Sequence, residues 1–328
     1  MLAIPQVGAF TPADVAAITA NFQQLLGIGT GRVIFLDTVN GNNSFSGLSS
    51  DKAVRTLAQA YAMANSGKND TIALIGDGST TATLRLEAAF TWAKNATHLI
   101  GVCAPSRISQ RARIAPSSST VAFANFFTIS GNGCVFANLQ WFDGFTTGTT
   151  SQIAHVVSGS RNVFYNCHIA GIADAEAAAS AGSRCIKFSG GSENYYKDCT
   201  IGIDTVSRGA ANANIEFASG CTRNIFDDCV FPIMASAATP LGIIVSGAAG
   251  SDRFQLFRRC MFINAVKSTA TAMTALATLA ASIGGMIVFK DCSIIGITGW
   301  GTDATSKAQM YLDGYVPSNA SGIAVNPA

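Results

Sequence analysis

Three aspartates at matching places in a repeated phrase, with a fourth next to one of them, are the first candidates for chemistry in this chain. Arg259 lies among them, and Asn166 precedes them in the same column of the repeat. Two carboxylates about 5–9.5 Å apart act as acid and base in glycoside hydrolysis, and clustered carboxylates bind calcium. The four candidates are Asp198, Asp227, Asp228 and Asp291.

These aspartates allow a functional and a structural interpretation. In the first, Asp227 and Asp228 hold calcium or serve as acid and base. In the second, the column is an outward ladder of solvated side chains with partly alternating charge. We favour the ladder, because the acids keep the register of the repeat and do not lie in the segments between repeats. The sequence therefore predicts no catalytic residue, metal site or cofactor, with the four aspartates as the alternative catalytic set.

Six copies of one short phrase must position these side chains. They occupy residues 134–141, 162–169, 194–201, 224–231, 255–262 and 287–294. Each copy has an aromatic residue: Phe136, Phe164, Tyr196, Phe226, Phe257 and Phe289. Three places later stand Leu139 in the first copy and then Cys167, Cys199, Cys229, Cys260 and Cys292. A period near thirty residues marks a stack of similar units that bury their apolar faces against one another.

Each unit reads as strands joined by turns. The phrases are rich in Phe, Ile, Val and Tyr, and a second apolar run ending in Gly precedes five of them. Phe164 and Ile169 are five residues apart and would point to opposite faces of a straight strand. A bend at Asn166 and Cys167 lets both point inward, with the cysteine at the inner side. Repeated bends in register predict parallel strands stacked about 4.8 Å apart.

These phrases resemble the rungs, or successive turns, of the right-handed parallel β-helix, the pectate-lyase-like superfamily. In that superfamily an inward Asn, Cys or Ser commonly stacks at the second bend. Residues 33–79 resemble its N-terminal segment: a strand, a loop rich in Gly, Asn and Ser, a capping helix and a first rung. The resemblance implies an all-β, single-stranded right-handed parallel β-helix with N-terminal capping helices and extended terminal arms. It implies little about activity, because this fold hosts lyases, hydrolases, phage tailspikes and inert virion proteins.

Three regions are expected along the chain. Residues 1–32 form an N-terminal arm with a short helix over 11–26, whose apolar residues recur at helical spacing. Residues 33–296 form the β-helix, with a capping helix over 49–65 that places Ala53, Leu57, Ala60 and Tyr61 inward. Residues 297–328 form an extended C-terminal tail.

The remaining motifs carry no recognised chemistry. Gly-Asp-Gly at 76–78 follows an apolar run and is typical of a turn. His98, His155 and His168 are expected at surface or rung positions. The segment 101–106 does not match a nucleophile elbow, and the sequence has no Walker or dinucleotide fingerprint.

Charge is scarce in this sequence. Charged residues make up 12% of 328, about half the usual fraction, and the net charge of +2 comes without a basic run. A charge-poor surface favours contacts with other subunits or a lattice, and no nucleic-acid partner is predicted. No secretory signal is visible, and the uncharged run at 272–289 is explained by the sixth rung better than by a membrane span. Nine cysteines without CxxC pairs favour free buried thiols and assembly in a reducing cytoplasm.

Together the resemblance and these features predict a non-enzymatic structural protein of a bacteriophage virion. We expect a capsid decoration or cement protein that assembles in the host cytoplasm as a homotrimer. Its terminal arms contact capsid or other virion proteins, and no membrane is involved. The alternative is a tailspike-like β-helix that binds polysaccharide or degrades it as a lyase or hydrolase. Paired acids beside aromatic platforms would distinguish that alternative, and a surface adhesin is disfavoured by the missing export signal.

Overall fold

The computed structural model describes residues 31–117, 123–144, 151–265 and 271–312, which wind into a parallel β-solenoid of about seven turns. Strands are numbered in chain order. The first twelve are β1 (Val33–Asp37), β2 (Asp70–Ile75), β3 (Leu84–Leu86), β4 (Phe90–Trp92), β5 (Thr97–Val102), β6 (Arg113–Pro116), β7 (Asn125–Ile129), β8 (Val135–Ala137), β9 (Gln140–Phe142), β10 (Ile153–Val157), β11 (Val163–Tyr165) and β12 (His168–Ala170). The others are β13 (Arg184–Ser189), β14 (Tyr195–Lys197), β15 (Thr200–Ile201), β16 (Ala213–Ser219), β17 (Asn224–Asp227), β18 (Val230–Ile233), β19 (Leu241–Val245), β20 (Phe254–Arg258), β21 (Met261–Asn264), β22 (Ala277–Leu279), β23 (Met286–Lys290), β24 (Ser293–Ile295) and β25 (Met310–Leu312).

The strands form three parallel sheets, which each turn of the chain visits in the order A, B, C. Sheet A has the order β1-β2-β5-β8-β11-β14-β17-β20-β23-β25. Sheet B has the order β3-β6-β9-β12-β15-β18-β21-β24, and sheet C has the order β4-β7-β10-β13-β16-β19-β22. Neighbouring strands are therefore one whole turn apart in sequence, as in other solenoids. The predicted all-β solenoid is confirmed.

The aromatic residues of the repeated phrase form one file inside sheet A. They pair in register from β8 to β23, and all six are buried. Consecutive rings stack with centroids between 4.3 and 5.4 Å apart. Ile169 enters the same core from sheet B, so Phe164 and Ile169 both point inward across the bend. Stacked aromatic pairs add about 0.5–1.5 kcal/mol each to the stabilisation from burial.

Three short helices accompany the solenoid in the described ranges. They are α1 (Leu57–Met63), α2 (Ala175–Ala179) and α3 (Ala304–Ala308), and 3-10 turns lie at Ser50–Lys52 and Ala248–Gly250. The helix predicted over 49–65 is wrong in its first half. Val54 N donates to Phe35 O and Val54 O accepts from Asp37 N, both at 2.9 Å, so this backbone joins the edge of sheet A instead.

Helix α1 begins only after Thr56, whose side chain accepts a hydrogen bond from Gln59 N. Leu57 and Ala60 are buried as predicted. That α1 covers the open end of the solenoid stays a prediction, and so does the division into regions 1–32, 33–296 and 297–328.

One strand lies inside the region predicted as the C-terminal tail: β25 pairs in parallel with β23. The helix predicted over 11–26 and the tail from 313 onward fall outside the described residues.

Candidate functional site

The aspartate column lies at the bend between sheets A and B. Each residue of the column has a φ between 50° and 55°. This is the left-handed region, which Asn and Asp tolerate better than other non-glycine residues. Backbone conformation therefore explains a polar residue at this place in every rung. The column consists of Asn138, Asn166, Asp198, Asp228, Arg259 and Asp291.

Asp227 ends β17 beside the column, and its side chain is only 3% exposed. Arg258 donates hydrogen bonds to its two carboxylate oxygens at 3.0 and 2.6 Å, and Arg259 donates another at 2.5 Å. The Tyr195 hydroxyl donates to Oδ2 at 3.1 Å. These donors, Arg258 foremost, lower the pKa of Asp227 below its ordinary value. A general acid needs a raised pKa, so this carboxylate is unsuited to that role.

Asp228 is bound in the same way. Arg259 contacts it with both ends of the guanidinium: Nε lies 2.8 Å from Oδ1 and Nη2 lies 2.9 Å from Oδ2. Lys197 pairs with Oδ2 as well. The hydrogen bonds from Arg259 and Lys197 hold the pKa of Asp228 well below its ordinary value.

The two remaining aspartates of the predicted set lie at different distances from this network. Asp198 is 3.8 Å from Arg107 and 3.9 Å from Lys197, so it belongs to the network. Asp291 lies farther along the column, mostly exposed, with Lys290 Nζ 3.9 Å from its carboxylate. The structure thus gathers Asp198, Asp227 and Asp228 into one ion-pair network and leaves Asp291 at its margin.

The segment 103–112, between β5 and β6, lies across this corner, and we call it the strap. Arg107 Nη2 donates to Asp228 O, and Gln110 Nε2 donates to Asn166 O. The first contact joins residues that are 121 positions apart in the sequence, and the second joins residues that are 56 positions apart. Asn166 is only 6% exposed beneath the strap, so part of the ladder is covered by protein.

The cysteines of the phrase line the inner side of the same bend. Cys199 Sγ lies 3.4 Å from the carbonyl oxygen of Phe164 in the preceding rung and 3.4 Å from that of Lys197 in its own. Cys167, Cys229, Cys260 and Cys292 repeat this geometry. Burial raises the pKa of the Cys199 thiol well above its ordinary value. The Cys199 thiol is therefore a protonated, weak donor, and all nine cysteines of the chain are free.

A second ladder, between sheets C and A, was not predicted. Asn194 Oδ1 accepts from Asn162 N at 2.9 Å, and Asn194 Nδ2 donates to Gly159 O at 3.1 Å. Asn162 and Asn224 make equivalent bonds, and Gln255 continues the series. All four amides are fully buried. Their signal in the sequence is an amide five places before the cysteine in four of the six copies.

All three histidines are buried rung residues, so the surface alternative is wrong for each. His155 packs against Trp141 with ring centroids 4.5 Å apart, and neither of its ring nitrogens has a hydrogen-bond partner among the described residues. Burial lowers the pKa of His155 to about 3. His168 lies beneath the strap, where its Nδ1 accepts from Ser109 N at 3.1 Å. His98 Nδ1 accepts from a backbone amide at 3.0 Å.

Within the described part of the chain, no three His, Cys, Asp or Glu side chains form a group that could hold a metal ion. None of the described helices is long and apolar enough to cross a membrane. A groove of about 700 Å³ lies between α1 and the first strands of sheets B and C, and Glu87 is the one acid among its described lining residues. The turn predicted at 76–78 forms, with Asp77 accepting from Ser79 N.

No protein-family model matches this chain, and no curated protein sequence matches it. Solved structures with the right-handed parallel β-helix do match. Pectate lyase Pel9A gives a TM-score of 0.59 at 14% identity, over 87% of this chain and 69% of that one. Pectin methylesterase from Aspergillus niger gives a TM-score of 0.55 at 13% identity, over 92% of this chain and 93% of that one. Pectin methylesterase PemA from Erwinia chrysanthemi gives a TM-score of 0.51 at 16% identity, over 84% of this chain and 82% of that one. The likeness is one of fold, and it confirms the predicted right-handed parallel β-helix.

Proposed function

We propose that this protein is a non-enzymatic structural component of a bacteriophage virion. One observation carries the proposal: the aspartates that could have formed an active site are bound by cations of neighbouring rungs. Asp227 is held by Arg258 and Arg259, and Asp228 by Arg259 and Lys197. Carboxylates so paired serve to hold successive rungs together.

The fold and composition support a role as a capsid decoration or cement protein. A solenoid with stacked aromatic rings inside is a stiff body, because each rung is packed against the next. Charged residues make up only 12% of the sequence, which suits a surface that contacts other subunits. The proposal includes assembly in the host cytoplasm, a homotrimer, and docking on capsid or other virion proteins through the terminal regions. It includes no cofactor, nucleic acid or membrane.

The proposal is tested first with polysaccharides. Wild-type protein and Asp228→Asn are incubated with acidic and neutral glycans, and reducing ends and unsaturated products are measured. We expect no product from either protein. Cleavage by the wild type that is lost in Asp228→Asn, with thermal unfolding unchanged, would overturn the proposal.

Location in the particle is tested by electron microscopy. Phage particles carrying this protein are labelled with a gold-conjugated antibody against it. Label over the heads is expected. Label confined to tails or its absence from all particles contradicts the head-associated role.

Glycan binding or cleavage by a tailspike-like protein is the second candidate function. It is favoured by the fold, because matching structures include a pectate lyase and pectin methylesterases. The polysaccharide assay separates the structural role from glycan cleavage.

A further inference from the structure

An apolar stripe runs along the outward face of sheet A. It consists of one residue from each of the sheet A strands β11, β14, β17, β20, β23 and β25, and these residues are in register along the solenoid axis. In a sheet with one face in solvent, the inward residues are normally apolar and the outward residues polar. A contiguous apolar patch on the outward face therefore marks an interaction site. Five members are half-buried and the last, Tyr311, is 48% exposed. The stripe is Val163, Tyr195, Ile225, Leu256, Val288 and Tyr311.

Two columns of side chains flank the stripe over five rungs. The first flank, where the strands begin, is Arg161, Glu193, Arg223, Phe254 and Met286. The second flank, where they end, is Tyr165, Lys197, Asp227, Arg258 and Lys290. An apolar centre between polar margins is the anatomy of a protein–protein contact.

Rung by rung, the two flanks are complementary. Glu193 stands at the height of Lys197, while Arg223 stands at the height of Asp227, whose carboxylate is already covered by Arg258 and Arg259 of its own chain. In the first of the five rungs Arg161 is level with Tyr165. In the fourth rung Phe254 is level with Arg258, so each of these two rungs offers a cation to an aromatic ring. No rung among the five has like charges on its two flanks.

This pattern selects one arrangement of two copies. Rotation about an axis parallel to the solenoid keeps every rung at its height and sets the first flank of one copy against the second flank of its neighbour. Glu193 then meets Lys197. An antiparallel copy at full overlap sets Arg223 against Arg223, which is repulsive.

We propose that the outward face of sheet A is the surface on which copies of this chain associate, parallel and with equal rungs at equal heights. The inference rests on the self-association in the proposed function and names its contact face. Six strands about 4.8 Å apart give a stripe about 24 Å long. A contact of this length is at the small end for stable complexes, so association depends on protein concentration.

The face is tested with two matched substitutions. Ile225→Glu puts a charge in the middle of the stripe, and Ile244→Glu puts one at a half-buried outward position of β19 in sheet C. Sedimentation velocity over a range of concentrations measures association, and circular dichroism checks that both variants fold. We expect Ile225→Glu to raise the midpoint concentration of association at least tenfold and Ile244→Glu to leave it unchanged.

The outcomes separate this inference from the wider proposal. If the wild type associates and Ile225→Glu associates equally well, the face is wrong while self-association stands. If the wild type is monomeric at every concentration, the homotrimer and this face both fall, and the microscopy above still decides the virion role.

Cysteine crosslinking tests the parallel register without any charge change. Val163→Cys and Val288→Cys lie at distant rungs of the stripe. In the parallel arrangement each variant alone forms disulfide-linked dimers on mild oxidation, while the wild type with its native thiols does not. Dimers that form only when the two variants are mixed would show an antiparallel contact and overturn the proposal.

Discussion

Two sets of buried polar groups in this solenoid differ in how they are satisfied. Asn162, Asn194 and Asn224 repeat from rung to rung, and each bonds to backbone groups of its neighbours. His155 and Asp143 occur once each and are fully buried, and their side-chain nitrogens and oxygens have no hydrogen-bond partner within the part of the chain that the structure describes. A buried polar group in a solenoid is therefore satisfied when the adjacent rungs supply the matching donor and acceptor. A side chain that repeats in every rung meets this condition, because each copy has the same neighbours.

The physical reason lies in the side chains. An amide carries both a donor and an acceptor, so a file of amides spaced by one rung can bond in both axial directions. His155 has Phe127 and Ile186 as its register partners, and neither offers a polar side chain. The cost of each unpaired group is about 1–3 kcal/mol.

The largest effect is expected from cutting the amide ladder. Asn194→Leu leaves Asn162 N and Gly159 O buried without partners. We expect the free energy of unfolding to fall by about 3 kcal/mol, measured by chemical denaturation. A loss under about 1 kcal/mol would show that the ladder is replaceable by apolar packing.

The next effect is acid sensitivity from His155. Its pKa is about 3 in the folded protein, below the ordinary 6.5, so stability is complete above pH 6.5 and is lost as the pH falls towards 3. At pH 4.5 this group costs the wild type about 2–3 kcal/mol. His155→Phe removes that cost and extends the stacked file of Phe127. Unfolding of both proteins between pH 7 and pH 4.5 checks this, and equal slopes would contradict it.

Asp143 should show the opposite pH dependence. Burial, with the charge of Asp174, raises its pKa well above the ordinary value. Its contribution is therefore complete at pH below the ordinary value and is lost as the pH rises towards the folded pKa. We expect Asp143→Asn to stabilise the protein by about 2 kcal/mol at pH 7 and hardly at all at pH 4. The exposed Asp204→Asn is the control and should change nothing at either pH.

The smallest effect is expected at the thiol ladder. Cys199→Ser keeps a donor beside Phe164 O, so it should cost about 1–2 kcal/mol and leave assembly intact. Labelling of Cys199 by a thiol reagent should be slow in the native protein. Rapid labelling would contradict its burial.

Local periodicity explains why the rungs could be predicted from the sequence. The spacing of Phe164, Cys167 and Ile169 is set within one rung, so one turn of chain contains the whole signal. The same holds for the polar residue before the cysteine, although the sequence did not reveal that its cause is the left-handed backbone.

The remaining features depend on contacts between distant parts of the chain. The strap reaches Asp228 from Arg107, and no local pattern marks where such a segment lands. The interior position of His155 follows from its register with Phe127 and not from its own residue type. Val54 is not helical as predicted, because its backbone forms hydrogen bonds with β1 at the edge of sheet A.

A double-mutant cycle tests the central claim most directly. Asn194 N and Nδ2 both donate to Asn224 Oδ1 at 3.0 Å, so the two amides support one another along the axis. We predict that Asn194→Leu and Asn224→Leu together cost less than the sum of the single variants by at least about 1 kcal/mol. Strict additivity for the asparagine pair would contradict axial satisfaction of the buried amides.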